Sequence, residues 1–286
     1  MKEKLKIAIQ KSGRLHDDSL QILKDCGISI NNGKDQLKVS ASNFPIEILY
    51  LRNGDIPQYL RDEVVDAAII GENLCLEKGE DLPILKSLGF SKCRVSIAIP
   101  NQVDYQSPKD LNGKQIATSY PNTLQKFLDQ HQIKAEIHLI NGSVEIAPSI
   151  GLADAVCDIV SSGSTLFKNN LKEVEEITKS EAVLVKSPHL NPDKKEILNK
   201  LLFRIDAVLK AKDAKYVLLN APNDKIDQII KILPGMKSPT VMPLAEKNWS
   251  SLHTVINQEK FWDIIDELKA AGAESILVNP IEKMIL

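Results

Sequence analysis

Residues 152–166 read LADAVCDIVSSGSTL, and residues 60–74 read LRDEVVDAAIIGENL. At a constant offset of 92 residues, the two stretches share Leu, Asp, Val, Asp, Gly and Leu in the same order. This alignment pairs Asp66 with Asp158. Each stretch is typical of a short apolar strand followed by a glycine-containing turn and the start of a helix. The match predicts that the chain contains an internal duplication.

The duplication extends towards the N-terminus of each half. KIAIQKSGRL (6–15) resembles QIATSYPNTL (115–124), and IEILYLRNGDI (46–56) resembles AEIHLINGSVE (135–145). Strands that alternate with helices indicate a parallel sheet covered by helices. Ligands of such sheets bind beyond the carboxyl ends of the strands. We therefore expect an α/β protein with two tandem lobes around a cleft, an arrangement similar to that of periplasmic binding proteins.

The last eighty residues follow a different pattern. Their order is strand, helix, strand, strand, helix, strand, with the first helix expected to end at Pro234 and Gly235. This β-α-β-β-α-β order is typical of a ferredoxin-like α+β domain. The predicted domains are a first lobe of residues 1–103 and 181–209, a second lobe of residues 104–180, and a C-terminal ferredoxin-like domain of residues 210–286.

Composition limits the function classes. The net charge of −2 provides no basic field for a nucleic acid or an anionic membrane surface. The apolar run near the N-terminus is too short for a signal peptide, and no stretch reaches the length of a membrane helix. Four cysteines without a CxxC pair suit a reducing compartment, and the five histidines show no ligand spacing. We expect a cytoplasmic protein without nucleic-acid or membrane partners.

The turn after the strand in the second half is the strongest candidate for a ligand site. Successive backbone N–H groups and hydroxyls at Ser161–Thr165 suit a phosphate, and Gly163 allows the backbone to approach an anion closely. The alternative is an ordinary Ser/Thr helix cap without a ligand. Nearby carboxylates suit ribose hydroxyls or Mg²⁺; these are Glu145, Asp154 and Asp158, although Asp154 also fits a solvated turn and Glu145 a surface or capping residue.

In the first half, cations follow two predicted strands. Lys11 and Arg14 lie in the turn QKSGRL, and Arg52 follows the strand before NGD. Cations at strand ends suit a polyphosphate, whereas surface lysines and arginines are usually only solvated. The turn IIGENL carries Glu72 beside Gly71, so an acidic turn there fits a base or a sugar better than a phosphate.

At these motifs the chain resembles the ATP phosphoribosyltransferase family. The resemblance covers essentially the whole chain and is most specific in GLADAVCDIVSSGSTL (151–166), the phosphoribosyl-diphosphate signature of that family. Further matching blocks are IAIQKSGRL, VVDAAIIGENL, NGKQIATSYP, NGSVEIAP, SPTVMPLA and SILVNPIEKM. The additional C-terminal domain resembles that of the long form, which carries its own histidine-sensing domain.

The resemblance implies a pentosyl transfer with Mg²⁺, in which adenine N1 of ATP displaces pyrophosphate from C1 of 5-phosphoribosyl 1-diphosphate. This reaction is the first committed step of L-histidine biosynthesis. Catalytic roles are implied for Glu145, Asp158 and Arg14. Phosphoribosyl diphosphate binding is expected at Glu145, Asp154, Asp158, Ser161, Ser162, Gly163, Ser164, Thr165 and Leu166. ATP binding is expected at Lys11, Ser12, Gly13, Arg14, Arg52, Gly71 and Glu72. No metal ligand and no general base are assigned.

For the C-terminal domain, the resemblance implies feedback inhibition by histidine and a homo-oligomer, as dimer and hexamer. The matching histidine-binding positions are Asn220, Met236, Ser238, Thr240 and Ser275. Asn220 departs from the acidic residue that some relatives carry to meet the amino group of the ligand. The alternative is a small domain used only for assembly.

Two other functions remain open at this point. Two α/β lobes around a cleft also describe a solute-binding module, which binds and releases without chemistry. A prephenate dehydratase-like enzyme with a regulatory tail is a second alternative, although it has no need for the serine-rich turn. Release of pyrophosphate from ATP and phosphoribosyl diphosphate together distinguishes the first of these alternatives from the enzyme.

Overall fold

A computed structural model describes residues 3–31, 36–78, 82–233, 235–236 and 238–286. They form two compact units. The first unit comprises Ile28–Leu198 together with the described residues before Asp25, and the second comprises Asp25–Gly27 and Asn199–Leu286. Pro234, which we expected to end a helix, lies outside the described residues.

The first unit contains two sheets, and the first is built from both ends of its chain. Its elements are β1 (Leu5–Gln10), α1 (Arg14–Asp25), β2 (Lys38–Ser40), β3 (Ile46–Leu51), α2 (Ile56–Arg61), β4 (Ala67–Gly71), α3 (Glu72–Lys78), β5 (Ile84–Ser87) and β11 (Ala182–Lys186). The strand order is β2-β3-β1-β4-β11-β5, with β1 parallel to β3 and β4. β4 is wholly apolar, and β1 is apolar except for Lys6 and Gln10, as expected for strands covered on both faces of the sheet.

The second sheet is built from one continuous segment. Its elements are β6 (Cys93–Pro100), β7 (Gln115–Thr118), α4 (Pro121–His131), β8 (Glu136–Leu139), β9 (Ala155–Val160), α5 (Ser164–Lys168) and β10 (Leu171–Ser180). The strand order is β10-β6-β9-β7-β8. The expected boundary at residue 103 is wrong, because β6 pairs with β9 and β10 and therefore belongs to the second lobe. The chain crosses between the sheets after Ser87 and returns between Ser180 and Ala182.

The two sheets repeat one topology. β3-β1-β4 in the first and β8-β7-β9 in the second are parallel triplets in the same order, and each triplet is followed by an antiparallel strand. The residue-by-residue alignment nevertheless needs a correction. Asp66 and Asp154, rather than Asp66 and Asp158, occupy the same place.

Asp66 directly precedes β4 and is hydrogen-bonded to β1, and Asp154 directly precedes β9 and is hydrogen-bonded to β7. The Oδ2 atom of Asp66 accepts the backbone N–H of Lys6 at 2.7 Å, and that of Asp154 accepts the backbone N–H of Gln115 at 2.9 Å. The offset is 88 residues at the aspartates (154 − 66) and 92 at the glycines (163 − 71). The second lobe therefore has four additional residues between the aspartate and the glycine.

The second unit contains the antiparallel sheet that the C-terminal pattern predicts. α6 (Pro192–Lys212) begins in the first unit and continues into this one. The following elements are β12 (Ala214–Pro222), α7 (Ile226–Ile232), β13 (Thr240–Pro243), β14 (Trp249–Asn257), α8 (Gln258–Ala270) and β15 (Glu274–Pro280). The strand order is β13-β14-β12-β15. Leu219, Ile229 and Leu268 are buried between the sheet and its helices, which confirms the ferredoxin-like layering.

No helix in the described part of the chain is both long and apolar enough to cross a lipid bilayer. The four cysteines, which all lie in the described part of the chain, form no disulfide bond. Cys26, Cys75 and Cys157 are buried, and Cys93 is half-buried. Burial raises the pKa of the Cys157 thiol well above its usual value, which suits a core residue rather than a nucleophile.

Candidate active site

A cavity of about 290 Å³ lies at the carboxyl end of β9 in the second lobe. It is lined by Glu145, Val156, Asp158, Ile159, Val160 and every residue from Ser161 to Leu166. The sequence motif and the separate Glu145 block thus meet at one place. The cavity combines two carboxylates with a glycine- and serine-rich turn.

One apolar cluster fixes the three elements that form this cavity. Val144 precedes Glu145, Val156 and Val160 flank Asp158 on the same face of β9, and Leu166 ends the serine-rich turn. All four are buried in the same cluster, with exposures of 8% or less. Packing of ordinary aliphatic side chains therefore positions the polar groups of the site.

The turn itself has the backbone geometry that its sequence predicts. Gly163 has φ of +76° and precedes α5, and a Cβ atom there would meet no atom within 4 Å but would strain the backbone. The hydroxyls of Ser162 and Ser164 lie 3.1 Å apart. The backbone N–H of Ser164 also donates to the hydroxyl of Ser162, at 3.4 Å. Hydroxyls and backbone N–H groups beside a glycine are the donors that anion-binding turns use.

The carboxylate of Asp158 is in an environment that disfavours its charge. Burial, and secondarily the negative charge of Glu145, raise its pKa from 3.8 to about 6, although the backbone N–H of Ile159 donates to Oδ1 at 2.8 Å and opposes the shift. A ligand that offers hydroxyl donors or a cation would relieve this penalty.

Asp154 does not belong to this site. It lies at the amino end of β9, where it accepts a hydrogen bond from Gln115 and approaches Lys114 at 3.9 Å. β9 spans Ala155–Val160, so Asp154 and the serine-rich turn flank opposite ends of the strand. The expectation that Asp154 shares one rim with Asp158 is therefore wrong, because the strand itself separates Asp154 from the turn.

The predicted cations of the first lobe follow neighbouring strands. The register pairs Gln10 of β1 with Leu51 of β3, so Lys11 and Arg52 leave the sheet side by side. The backbone N–H of Lys11 donates to the carbonyl of Leu51 at 2.8 Å. Both side chains are exposed. After them, exposed Ser12 and Gly13, with φ of +93°, lead into α1.

Arg14 connects the first lobe with the phosphate-binding candidate of the second. Its Nη2 atom donates to the hydroxyl of Ser161 at 3.1 Å and to the carbonyl of Lys92 at 3.3 Å. A guanidinium beside the turn adds positive charge where an anion would bind. The structure thus brings Arg14 to the turn of the second lobe as well as to the cation-bearing edge of the first.

A second cavity, of about 510 Å³, extends from the turn towards the crossovers between the lobes. It is lined by Glu72, Lys92, Cys93, Arg94, Ser161, Glu176, Lys179, Ser180 and Glu181. Glu72 therefore lines the cleft. Gly71 does not line this cavity, and its lack of a side chain has a steric reason. A Cβ atom at Gly71 would collide with the Oδ1 atom of Asn73.

Sequence reasoning missed the cations at the crossover. Arg94 donates from Nη1 to the carbonyl of Ser161 at 3.3 Å and forms a bidentate ion pair with Glu173, so it supports the turn from behind. Lys92 and Lys179 line the same cavity. Nothing in their local sequence distinguishes these residues from solvated cations. What distinguishes them is their position beside the two chain crossovers between the lobes, and locating these crossovers requires the strand pairing.

Comparison with known proteins agrees with the arrangement of both lobes. Residues 52–207 match the sequence model of the family described as ATP phosphoribosyltransferase, and residues 211–283 match the one described as HisG, C-terminal domain. The chain is 56% identical over 282 residues to the ATP phosphoribosyltransferase of Phocaeicola vulgatus, covering 99% of this chain and 100% of that protein. The chain belongs to the ATP phosphoribosyltransferase family.

Other comparisons extend this result. The ATP phosphoribosyltransferase of Cytophaga hutchinsonii is 54% identical and covers 98% of each chain. The solved ATP phosphoribosyl transferase (HisG:HisZ) complex from Thermotoga maritima contains a chain that is 30% identical, with a TM-score of 0.61 over 71% of this chain and 98% of that one. A substrate-binding protein of an amino acid ABC transporter, 13% identical with a TM-score of 0.50 over 72% of this chain and 93% of its own, shares the fold of the two lobes alone.

The C-terminal positions that the family resemblance singles out are distributed over one sheet. Asn220 lies in β12 opposite Glu274 of β15, so Ser275 is its near neighbour across the strands. Thr240 lies in β13, two strands away from β12. Ser275 has φ of +50°, and Met236 is 50% exposed. Met236 and Ser238 precede β13 in a loop of which residue 237 lies outside the described residues.

Proposed function

We infer that the protein catalyses the transfer of the phosphoribosyl group of 5-phosphoribosyl 1-diphosphate to adenine N1 of ATP, with release of pyrophosphate. This is the first step of histidine biosynthesis. The observation that carries the inference is the cavity at the end of β9, where Glu145, Asp158 and the turn Ser161–Leu166 meet in a chain 56% identical to a protein of this name. A cavity of 290 Å³ suits one phosphosugar.

We propose that the sugar diphosphate binds in the second lobe. The backbone N–H groups and hydroxyls of the turn accommodate the 5-phosphate, and Glu145 and Asp158 accept hydrogen bonds from the ribose hydroxyls. The raised pKa of Asp158 supports this role, because hydroxyl donors of a sugar compensate a buried carboxylate.

ATP is proposed to bind on the first-lobe side of the cleft. Lys11, Arg14 and Arg52 face the triphosphate, with Ser12 and Gly13 in the same turn, and Gly71 and Glu72 form the turn near the base. The adjacent exits of Lys11 and Arg52 from the sheet support a shared polyanionic ligand. Since Arg14 also reaches Ser161, the two substrates are expected to meet beside it.

The chemistry needs little proton transfer. The lone pair of adenine N1 forms the new bond to C1 of the ribose, and the bond from C1 to the diphosphate oxygen breaks with its electron pair on pyrophosphate. Alignment of the two substrates and stabilisation of separated charge supply the catalysis. Glu145 and Asp158 favour positive charge on the sugar ring, and Arg14 favours the anionic phosphates.

Mg²⁺ is proposed as the divalent cation. Among the described residues, the structure contains no cluster of three or more His, Cys, Asp or Glu side chains that could hold a metal. Mg²⁺ usually binds through one or two carboxylates together with substrate phosphates, and the cavity offers Glu145 and Asp158. These residues fit a cation that is bound together with the diphosphate, where it would neutralise charge on the leaving group.

The C-terminal domain is proposed to bind histidine and to mediate feedback inhibition in a homo-oligomer, as dimer and hexamer. Asn220, Met236, Ser238, Thr240 and Ser275 are the proposed contacts. The exposure of Met236, Ser238, Thr240 and Ser275 in one chain supports a site completed by a neighbouring subunit.

Pyrophosphate release tests the reaction. With both substrates and Mg²⁺, the protein should release pyrophosphate in proportion to time, and either substrate alone or excess chelator should abolish release. A solute-binding module would instead show saturable binding of one ligand and no turnover. That outcome, obtained with correctly folded protein, would contradict the proposed function.

A further inference from the structure

Helix α4 of the second lobe begins without a cap of its own. The first backbone N–H groups of a helix need acceptors from outside the helix. Pro121, at the first helical position, has no N–H. Tyr120 is the N-cap residue, and its side chain makes no capping hydrogen bond with the described residues. The N–H of Leu124 donates to the carbonyl of Tyr120 at 3.0 Å. The N–H groups of Asn122 and Thr123 therefore need acceptors from elsewhere.

Both acceptors come from the other lobe. Oε1 of Glu77, in α3 of the first lobe, accepts the N–H of Asn122 at 3.0 Å. Oε2 accepts the N–H and the hydroxyl of Thr123, each at 2.8 Å. The side-chain amide of Asn122 also donates to the backbone carbonyl of Glu77 at 2.9 Å. Glu77 is 5% exposed, so a buried carboxylate of one lobe caps a helix of the other.

The same face of α3 makes a second connection one turn earlier. Asn73, four residues before Glu77, donates from its side-chain amide to the hydroxyl of Tyr120 at 3.1 Å. It also exchanges two hydrogen bonds with Ser180, at the end of β10, each of 2.9 Å. Asn73 is 3% exposed. We call the contacts of Asn73 and Glu77 with Tyr120, Asn122, Thr123 and Ser180 the α3–α4 latch.

The latch connects the two halves of the proposed active site. On one side, α3 starts at Glu72, which lines the cleft. On the other side, the backbone N–H of Tyr120 donates to the hydroxyl of Thr118, and that hydroxyl donates to the carbonyl of Cys157 at 2.6 Å. Cys157 immediately precedes Asp158. Hydrogen bonds thus link the helix that begins at Glu72 with the strand that carries Asp158.

We propose that Glu77 is a positioning residue, which holds the two lobes in the register that places ATP against the phosphoribosyl group. This inference rests on the proposed function. It assigns Glu77 no contact with substrate, so its effect is on alignment. The proposed sugar diphosphate contacts lie in the second lobe apart from Arg14, and binding of that substrate alone should depend little on the latch.

The test uses the full-length Glu77→Gln variant, which preserves side-chain volume but loses the charge and one acceptor. We expect kcat to fall about tenfold or more, whereas the dissociation constant of phosphoribosyl diphosphate measured calorimetrically without ATP changes by less than about threefold. The matched control is Asp110→Asn. Asp110 also accepts two backbone N–H groups, those of Gln106 and Ser107, but within the second lobe, so its loss should leave kcat unchanged.

Two results would overturn the proposal. One is a kcat of Glu77→Gln within twofold of the wild type. The other is a parallel loss of kcat, sugar diphosphate affinity and thermal midpoint, which would indicate that Glu77 only stabilises the second lobe. Wild-type pyrophosphate release in the same assay shows separately whether the proposed function holds.

A milder pair of variants tests the latch should Glu77→Gln fail to fold. Thr123→Ser keeps the hydroxyl donor to Glu77, and Thr123→Val removes it at nearly constant volume. We expect Thr123→Ser to retain the wild-type kcat and Thr123→Val to lose several-fold, with unchanged sugar diphosphate affinity. Equal kcat values for the two variants would contradict the proposal.

Discussion

At the scale of single residues, Asp158 shows how binding capacity opposes stability. It lies in β9 between buried Val156 and Val160, and burial together with Glu145 raises its pKa to about 6. An isolated domain would be more stable with an uncharged side chain here. The proposed ribose contact therefore accounts for a carboxylate that the fold itself does not require.

Replacing Asp158 should impair turnover. Asp158→Asn should lower turnover about 100-fold or more, because the amide provides less negative charge beside the sugar ring. Asp154→Asn is the matched control, since Asp154 lies at the other end of β9. Steady-state pyrophosphate release measures both. Near-normal turnover in Asp158→Asn would refute the proposed role of this carboxylate.

The same substitution should stabilise the unliganded protein at neutral pH. Because the folded-state pKa is raised from 3.8 to about 6, the folded state binds more protons than the unfolded state in this interval. Stability is therefore lost as the pH rises through it, by at most about 3 kcal/mol. We expect Asp158→Asn to gain about 1–2 kcal/mol at pH 7.5 and less at pH 5. Urea unfolding of both proteins at the two pH values measures the difference, and an equal gain at both would contradict the assignment.

At the scale of elements, the strand-turn-helix unit occurs twice and has different tasks. In the second lobe, four additional residues precede the glycine, and the turn opens into the cavity. In the first lobe, the shorter turn places Gly71 against the side chain of Asn73 and leads directly into α3. The longer copy is the one proposed to bind a ligand, and the shorter copy leads into the helix that contacts the other lobe and places Glu72 at the cleft.

The turn of the second lobe can be tested as an element. Ser162→Pro removes one backbone donor and restricts the φ angle beside Gly163, so it should raise the dissociation constant of phosphoribosyl diphosphate and reduce turnover about 100-fold. Ser162→Ala removes only the hydroxyl and should cost about tenfold or less. Calorimetric binding and pyrophosphate release measure the two effects. If both variants bind the sugar diphosphate like the wild type, the turn does not hold its phosphate.

The elements also show what sequence can and cannot predict. The repeat, the serine-rich turn and the meeting of Glu145 with Asp158 follow from local patterns and from the rule that parallel strands end together. The contacts of Arg94 and Glu77 do not, because each involves residues about 45 to 80 positions away, which strand pairing brings near Arg94 and contact between the lobes brings near Glu77. Closeness in sequence groups Asp154 with Asp158, but the residues between them run along β9 and place the two carboxylates towards opposite ends of the strand.

At the scale of the whole molecule, the chain combines a two-lobed unit with a unit that carries the proposed histidine site. Asn220 lies within β12, opposite Ser251 and Glu274 of the flanking strands. A neutral amide at this position accepts a hydrogen bond from an ammonium group less strongly than a carboxylate does. The identity of one residue should therefore tune feedback without changing catalysis.

Asn220→Asp should strengthen histidine inhibition. A charge-assisted hydrogen bond to the amino group of the ligand gains about 1 kcal/mol over a neutral one, which lowers the concentration for half-inhibition about fivefold. Uninhibited kcat should stay the same. Asn279→Asp, in β15 of the same sheet, is the control for added charge. An unchanged or weaker response to histidine in Asn220→Asp would argue against contact between this position and the ligand.

The interrupted path of the chain through the two lobes has a consequence for biosynthesis. Residues 93–180 contain every strand of the second sheet, but the first sheet lacks β11 until residues 182–186 have been translated. The later-encoded lobe can thus complete its sheet on the ribosome while the earlier-encoded one still has a gap between β4 and β5. Nascent chains arrested shortly after Ser180 has left the exit tunnel should resist protease in the second lobe and remain sensitive in the first.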